Sequence, residues 1–284
     1  VDRRRTPTTI LRSDPDATPG RSDGSGATGP RPGDTRALAS VAVQFFVNGL
    51  VVASYVPRLP EIRDRVEIST GTLGVLLATA SAVGLIGSAV IGRLVEAFGS
   101  RRVLIYGALA LVSSLAIIGL ASTWWLFLLG LVGVGITDVF VDAAMNLQGS
   151  WISGRRRIPV MNRLHGLWSL GTVLGGVVAA QAAAAGVTLR THLLVSSAVF
   201  LAVVVFVGRG LLTEDEHDPD DPAGAGAASS GRRRWRASLV LLGGAGACSI
   251  AMEMTSSDWA AFRLSDDFDA TAGAAGLAYV AFTV

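Results

Sequence analysis

Two aspartates and an asparagine, Asp138, Asp142 and Asn146, recur at intervals of four residues in an otherwise apolar stretch of the sequence. On an α-helix these positions share one face, so the three side chains are predicted to form a single polar stripe. A carboxylate in the middle of a bilayer costs about 2.5–3.5 kcal/mol on insertion scales, and such groups usually serve transport or pair with other groups. Burial and a neighbouring like charge both favour the protonated form, so one of the two carboxyls is expected to hold a proton near neutral pH.

Two further ionisable residues lie in apolar runs. Glu253 is a third carboxylate, and His165 follows the stripe in the next run, where an imidazole can relay protons. Together with Asp138 and Asp142, they are the candidates for coupling transport to protons. Structural roles remain open, since Asp142 could instead bridge to Arg163 or His165. His165 could be an interfacial hydrogen-bonding residue, and Glu253, about one turn from the end of its run, could reach towards the membrane surface.

Uncharged polar side chains are the candidates for contacting a solute. Gln44 and Asn48 lie one helical turn apart in the first apolar run, and their amides can hydrogen-bond the hydroxyl groups of a sugar or polyol. Asn146 and Trp168 are predicted to line the same cavity from two other runs. Hydrogen bonding between helices is an alternative use of the Gln44 and Asn48 amides.

Long apolar runs must position these residues. The chain has 284 residues, 50% of them apolar and only 16% charged, with a mean hydropathy of +0.50. Soluble proteins carry about 25% charged residues, and a helix needs about 20 residues to cross a bilayer. Gly171 and Gly175 are predicted to form a packing groove for another helix. Eight runs predict an all-α polytopic membrane protein: 37–56, 71–91, 103–121, 124–148, 164–185, 191–207, 237–257 and 270 to the end.

The order of these runs predicts two halves. Residues 1–36, rich in Arg, Asp, Pro and Gly, are predicted to form a disordered cytoplasmic tail. Residues 37–209 are predicted to form a six-helix transmembrane half, and residues 210–236 a flexible cytoplasmic linker. Residues 237–284 would begin a second half. Its last run stops after 15 residues, so we interpret the chain as a C-terminally truncated fragment.

The basic residues predict the orientation. All 24 are arginines, and nineteen of them lie in segments on the same side as the N-terminus, against five on the other side. Cytoplasmic segments carry the excess of basic residues, so the N-terminus is predicted to be cytoplasmic in a multi-pass protein of the plasma membrane. Anionic lipid, and not nucleic acid, is the predicted partner of the arginine clusters, because each cluster flanks an apolar run.

The segment after the second run contains Gly92, Glu96, Gly99, Arg101 and Arg102. It resembles the signature loop between helices 2 and 3 of the major facilitator superfamily, Gly-x-Leu-x-Asp-Arg-x-Gly-Arg-Arg, with Glu96 in place of the aspartate. The resemblance implies a six-helix N-terminal half followed by the first one or two helices of the second. It also implies a cytoplasmic gating loop, in which Glu96 would join a charge network with the other half. An alanine replaces the basic residue that usually follows the acid.

A second group of residues is similar to a narrower branch of that superfamily. The polar stripe of the fourth run and the sequence His165-Gly-Leu-Trp168-Ser-Leu-Gly171 look like the uncharacterised bacterial branch near fucose permease, which implies proton symport. Two motifs of other branches are absent from the sequence, the Arg-x-x-x-Gly of helix 4 in proton-driven exporters and the Gly-Pro of helix 5 in drug antiporters.

These features together predict a secondary transporter that moves a small polar solute with protons by alternating access. Two alternatives remain open: an exporter of hydrophobic compounds on the same fold, and a non-transporting membrane sensor or assembly protein. No catalytic residue, metal ligand or cofactor is predicted, because no phosphate-binding loop follows a strand and the three histidines lack metal-ligand spacing. The solute and the oligomeric state are not predicted.

Overall fold

The structure, a computed structural model, describes residues 32–213 and 237–283. Within these ranges the chain forms α-helices joined by short turns, with single-turn 3-10 helices at 56–58 and 208–210 and no strand. The helices are α1 (Pro32–Tyr55), α2 (Leu59–Arg65), α3 (Thr70–Ser88), α4 (Ile91–Phe98), α5 (Ser100–Leu120), α6 (Trp124–Arg156), α7 (Met161–Ala184), α8 (Leu189–Val207), α9 (Ala237–Phe268) and α10 (Ala272–Thr283).

Seven segments of the described chain are long and apolar enough to cross a membrane. They are α1 with its extension through α2, and α3, α5, α6, α7, α8 and α9. The shorter apolar helix α10, of 12 residues, lies where the eighth run is predicted. The prediction of an all-α polytopic membrane protein is confirmed.

The first helix begins earlier than the predicted span. Pro32 is its first residue, where a missing N–H costs nothing, and Asp34 places a negative charge near the positive end of the helix dipole. Asp34 is buried and accepts hydrogen bonds from Arg155 near the end of α6, at 2.6 and 2.9 Å. Residues 32–36 of the predicted tail are therefore helical, and residues 1–31 lie outside the described residues.

Two helices run past the ends of the apolar runs that predict them. α6 continues beyond residue 148 to Arg156 and ends where Arg157 adopts a left-handed conformation with φ 53°. α9 continues beyond residue 257 to Phe268, because a packed face that includes Ala261 and Phe262 persists among the charged residues. Asp258, Asp266 and Asp267 follow the predicted seventh run in the sequence, but in the structure they lie within α9.

The helices pack in a bundle around α1 and α7. α1 packs along α7, α5 lies between α6 and α8, and α3 packs on α6. α10 contacts α7 and α9, and α9 also contacts α2. In the first part of α9 the described side chains from residue 239 to residue 255 are exposed, so only its second part packs against other described helices.

A buried glutamine holds the segment that follows α8. Gln148 Nε2 donates to Ser100 Oγ at 2.7 Å and to the Leu212 carbonyl at 2.9 Å, and Gln148 Oε1 accepts from Leu212 N at 3.0 Å. Residues 211 and 212 are consequently buried and ordered against α6, although the linker is predicted to begin at 210. Residues 214–236, most of the predicted linker, lie outside the described residues.

Candidate functional site

A chain of three polar side chains crosses the interior of the bundle. The Trp168 indole on α7 donates from Nε1 to Asn48 Oδ1 on α1 at 2.9 Å, and Asn48 Nδ2 donates to Asp138 Oδ1 on α6 at 2.8 Å. These bonds fix the orientation of the Asn48 amide, because an indole only donates and an ionised carboxylate only accepts. Three of the sequence candidates, from three different helices, therefore meet at one place.

The close packing of α1 on α7 sets the distance between Asn48 and Trp168. A Cβ atom at Gly49 would fall within van der Waals contact of the Trp168 carbonyl oxygen, and one at Gly171 would meet the Phe46 carbonyl oxygen in the same way. Glycine at both positions lets the two backbones touch, so Asn48 can reach the indole of α7. The groove predicted on the fifth run is occupied by α1.

Gln44 lies one turn before Asn48 on the same helix. It is buried, with 4% of its surface exposed. Its side-chain amide forms no hydrogen bond with another residue in the described part of the chain. The amide thus keeps its donors and acceptor available beside the Trp168–Asn48–Asp138 chain.

Asp142, Asn146 and His165 form a second polar group on an open face of α6 and α7. Asn146 Nδ2 donates to Asp142 Oδ1 and to the Asp142 carbonyl oxygen, both at 2.9 Å. Asp142 also interacts electrostatically with His165, whose ring centre lies 5.3 Å from that of Phe45. Among the described residues Asp142 forms no ion pair, so a bridge to Arg163 is not made. The polar stripe on α6 is therefore divided between a hydrogen-bonded interior end and an exposed end.

Glu253 stands apart from the other candidates. It lies on the exposed first part of α9, where no described helix covers it. α9 continues to Phe268, so Glu253 lies about 22 Å from the end of its helix and not one turn from it. The structure does not bring Glu253 to Asp138, Asp142 or His165.

The predicted gating loop is largely helical. Residues 91–98 form α4, and Gly99 then adopts φ 83°, which favours glycine, before α5 begins. Arg101 and Arg102 consequently belong to the first turn of α5. Glu96 is exposed and forms no ion pair with another described residue. Its charge network with the second half stays a prediction.

One carboxylate within a membrane-spanning helix is missed by the sequence reasoning. Asp258 lies one residue beyond the predicted seventh run, but α9 continues through it. It is half-buried and interacts electrostatically with the phenols of Tyr55 on α1 and Tyr279 on α10, and Tyr55 also interacts with Asp138. Residues 259–262 are all apolar, and they could have shown that the spanning helix continues past Asp258.

A charged contact joins α2 to α9. Arg63 donates to the two carboxylate oxygens of Asp266 at 2.6 and 3.2 Å, and its guanidinium lies 5.3 Å from the centre of the Phe262 ring. The Trp259 ring lies 5.2 Å from that of Phe262 and covers Gly74 on α3. This contact connects the first six spanning helices with the seventh, at the end of α1 that leads into α2.

Seven membrane-spanning segments and a carboxylate that accepts a hydrogen bond inside their bundle define a polytopic α-helical membrane protein with a polar interior site. Residues 41–284 match the Major Facilitator Superfamily. The chain belongs to this superfamily, as the resemblance of its gating segment implies.

Three curated relatives extend the comparison. The chain is 29% identical over 254 residues to the "Membrane protein MosC" of Rhizobium meliloti, a match that covers 89% of this chain and 60% of the relative. It is 28% identical to the "Uncharacterized transporter y4wD" of Sinorhizobium fredii, covering 86% of this chain and 63% of the relative. It is 23% identical to an uncharacterized MFS-type transporter of Yersinia pestis, covering 64% and 48%. The chain thus spans about half to two thirds of the length of these relatives.

Proposed function

We propose that the chain forms the larger part of a non-enzymatic secondary transporter that moves a small polar solute by alternating access. The observation that carries the proposal is the Trp168–Asn48–Asp138 chain, which brings a carboxylate, an amide and an indole together inside the bundle. A carboxylate is rare within spanning helices and is usually retained for a substrate or ion pathway. Two of the relatives are themselves named as transporters.

Asp138 is the proposed proton-coupling residue. Its carboxylate accepts a hydrogen bond from Asn48, so protonation would remove the charge that this bond stabilises and would free Asn48 to bond the hydroxyl group of a solute. Gln44 and Trp168 are the proposed neighbours of that solute. Asp142, Asn146 and His165 would line the path between the site and the side on which α6 ends.

We further propose that α2 and the end of α9 lie on the outer face of the plasma membrane and that the N-terminus is cytoplasmic. The arginine distribution supports this orientation. The Arg63–Asp266 contact would then close the outer end of the path between the halves. Opening of this contact would admit solute from outside.

The orientation predicts which cysteines an impermeant thiol reagent can reach. Ala97 on α4 and Ala272 at the start of α10 are both exposed, and Cys248 can be replaced by serine to remove background labelling. In intact cells Ala272→Cys is expected to label at once, and Ala97→Cys only after the membrane is permeabilised. The reverse pattern would show that the N-terminus lies outside.

If the Arg63–Asp266 contact closes the outer end of the path, removing the Arg63 side chain should make α9 more accessible to a reagent added outside. An exposed ion pair contributes up to about 1 kcal/mol, so Arg63→Ala should increase the open population up to about fivefold. In a Cys248→Ser background, a cysteine at the buried Ser257 should react correspondingly faster with an external thiol reagent. Arg263→Ala is the matched control, because Arg263 pairs with Asp267 on the same helix. Equal reaction rates in the two arginine variants would contradict the closing role.

A further inference from the structure

We propose that Arg58 and Glu61 are positioning residues for the outer closing contact. They fix α2 to the turn between α7 and α8, and this holds Arg63 where it can reach Asp266 on α9. The inference rests on the closing role proposed for Arg63, and it adds the residues through which that role depends on the N-terminal helices. It follows from the hydrogen bonds of Arg58 and Glu61 and from the helices that pack against α2.

Arg58, in the 3-10 helix between α1 and α2, donates hydrogen bonds to two partners. Its Nε and Nη2 donate to Glu61 Oε2 at 2.8 and 2.6 Å, and Nη2 also donates to the Val187 carbonyl oxygen at 2.8 Å. Only 4% of Arg58 is exposed. A guanidinium presents its donors in a rigid fork, so one buried group both orients Glu61 and holds the turn that precedes α8.

Glu61 makes a second bond to the same turn. Its Oε1 accepts from the backbone N–H of Leu189, the first residue of α8, at 3.3 Å. The carboxylate thus lies at the N-terminal end of α8, where the helix dipole favours a negative charge. Arg58 and Glu61 together bind the backbone on either side of Thr188, so the turn is held at two points.

The short helix α2 needs such an anchor. It has seven residues, fewer than a helix needs to be stable on its own. Leu59 and Ile62 are buried, while Glu61 connects α2 to α8 and Arg63 connects it to α9. The position of Arg63 relative to α9 is therefore set by an anchor that lies two residues earlier on the same helix.

The helices predicted to begin the second half pack against the same segment. α9 and α10 both contact the 3-10 helix of residues 56–58. A Cβ atom at Gly276 on α10 would lie 3.6 Å from Pro57 Cβ. The segment that Arg58 and Glu61 fasten to α8 is thus also the segment on which α9 and α10 rest.

The two sets of contacts differ in how easily they separate. Arg58 is buried, whereas Arg63 and Asp266 expose 15% and 39% of their side chains. An exposed ion pair contributes little, but breaking the bonds of Arg58 would leave a buried charge without its partner. When the outer end opens, the contact with Asp266 is therefore expected to break while α2 stays on the N-terminal helices.

The test measures how fast an external thiol reagent modifies a cysteine at Ser257 in the complete protein, in the Cys248→Ser background. Arg58→Met removes the guanidinium fork and is expected to raise the rate up to about fivefold, as Arg63→Ala does. In the double variant the rate should be no higher than in Arg63→Ala alone, because Arg58 acts through Arg63. Two independent contacts would instead multiply, to as much as about 25-fold.

Further variants separate positioning from folding. Glu61→Ala should behave like Arg58→Met, and it replaces that variant if the loss of the buried arginine prevents folding. Glu61→Gln keeps one acceptor oxygen, so its rate should lie between those of the wild type and Glu61→Ala. Arg65→Met is the matched control on α2, because Arg65 forms no ion pair with another described residue, and it should leave the rate unchanged.

Two results would overturn the inference: a wild-type rate in both Arg58→Met and Glu61→Ala, or a rate in the double variant equal to the product of the two single effects. If Arg63→Ala raises the rate while Arg58→Met and Glu61→Ala do not, the closing role of Arg63 stands and only the positioning role fails. An unchanged rate in Arg63→Ala would refute the closing role itself, and this inference with it.

Discussion

Replacing Gly171 by alanine is expected to destabilise the protein by about 3 kcal/mol or more, one of the largest effects of a single methyl group in this chain. The added Cβ would overlap the Phe46 carbonyl oxygen and lie 3.2 Å from its carbon, so α1 and α7 must separate. Separation would also stretch the bond from Trp168 to Asn48. The thermal unfolding midpoint of the purified protein should fall by roughly 6–12 °C.

Gly166→Ala on the same helix is the matched control. No atom lies within 4 Å of a Cβ built at Gly166, so only the intrinsic preference of alanine for the helix acts there. That preference stabilises by about 0.5–1 kcal/mol, so the two identical changes should shift the midpoint in opposite directions. A midpoint for Gly171→Ala that equals or exceeds the wild-type value would contradict the close contact of α1 with α7.

Replacing Asp138 by asparagine is expected to abolish accumulation of solute driven by a pH gradient. The change keeps the volume and a hydrogen-bond acceptor for Asn48 but fixes the site in a neutral state. A 1:1 proton symporter can accumulate solute about tenfold per pH unit, whereas the variant should reach only equal concentrations on both sides. Uptake of labelled polyols, sugars and amino sugars into vesicles that contain the complete protein would measure this, with solute exchange at equal concentrations retained.

Asp142→Asn serves as the control for Asp138→Asn, because Asp142 lies one turn away on α6 and is exposed. It is expected to retain accumulation. A purely structural role of Asp138 would instead cause poor expression and loss of both accumulation and exchange. Unchanged, pH-dependent accumulation in Asp138→Asn would move the coupling role to Asp142 or Glu253.

The helical period of the sequence was sufficient to find the polar residues of the interior site but not to show which of them meet. Asn48, Asp138 and Trp168 each stand out as a polar or aromatic side chain in an apolar run. Which helices are neighbours depends on contacts between distant parts of the chain, such as the backbone contact at Gly49, and a single sequence does not encode these contacts as a pattern.

The predicted ends of the helices are wrong where charged residues lie within a helix. Asp258 marked the end of the seventh run by its charge, yet α9 continues through it because Ala261 and Phe262 keep a packed face. Asp34 lies in the segment predicted to be a polar tail, although it is buried against Arg155. For Asp34 an ion pair with a distant helix compensates for the charge, and for Asp258 the packing of the residues that follow it keeps the helix going.

Proton movement that accompanies solute entry tests the proposed coupling most directly. Vesicles containing the complete protein are held without a membrane potential in weak buffer, and a solute identified by the uptake measurements is added outside. Downhill solute entry is predicted to make the external medium more alkaline in the wild type and to leave its pH unchanged in Asp138→Asn. Solute entry into wild-type vesicles with no change in external pH, or with acidification, would contradict proton symport through Asp138.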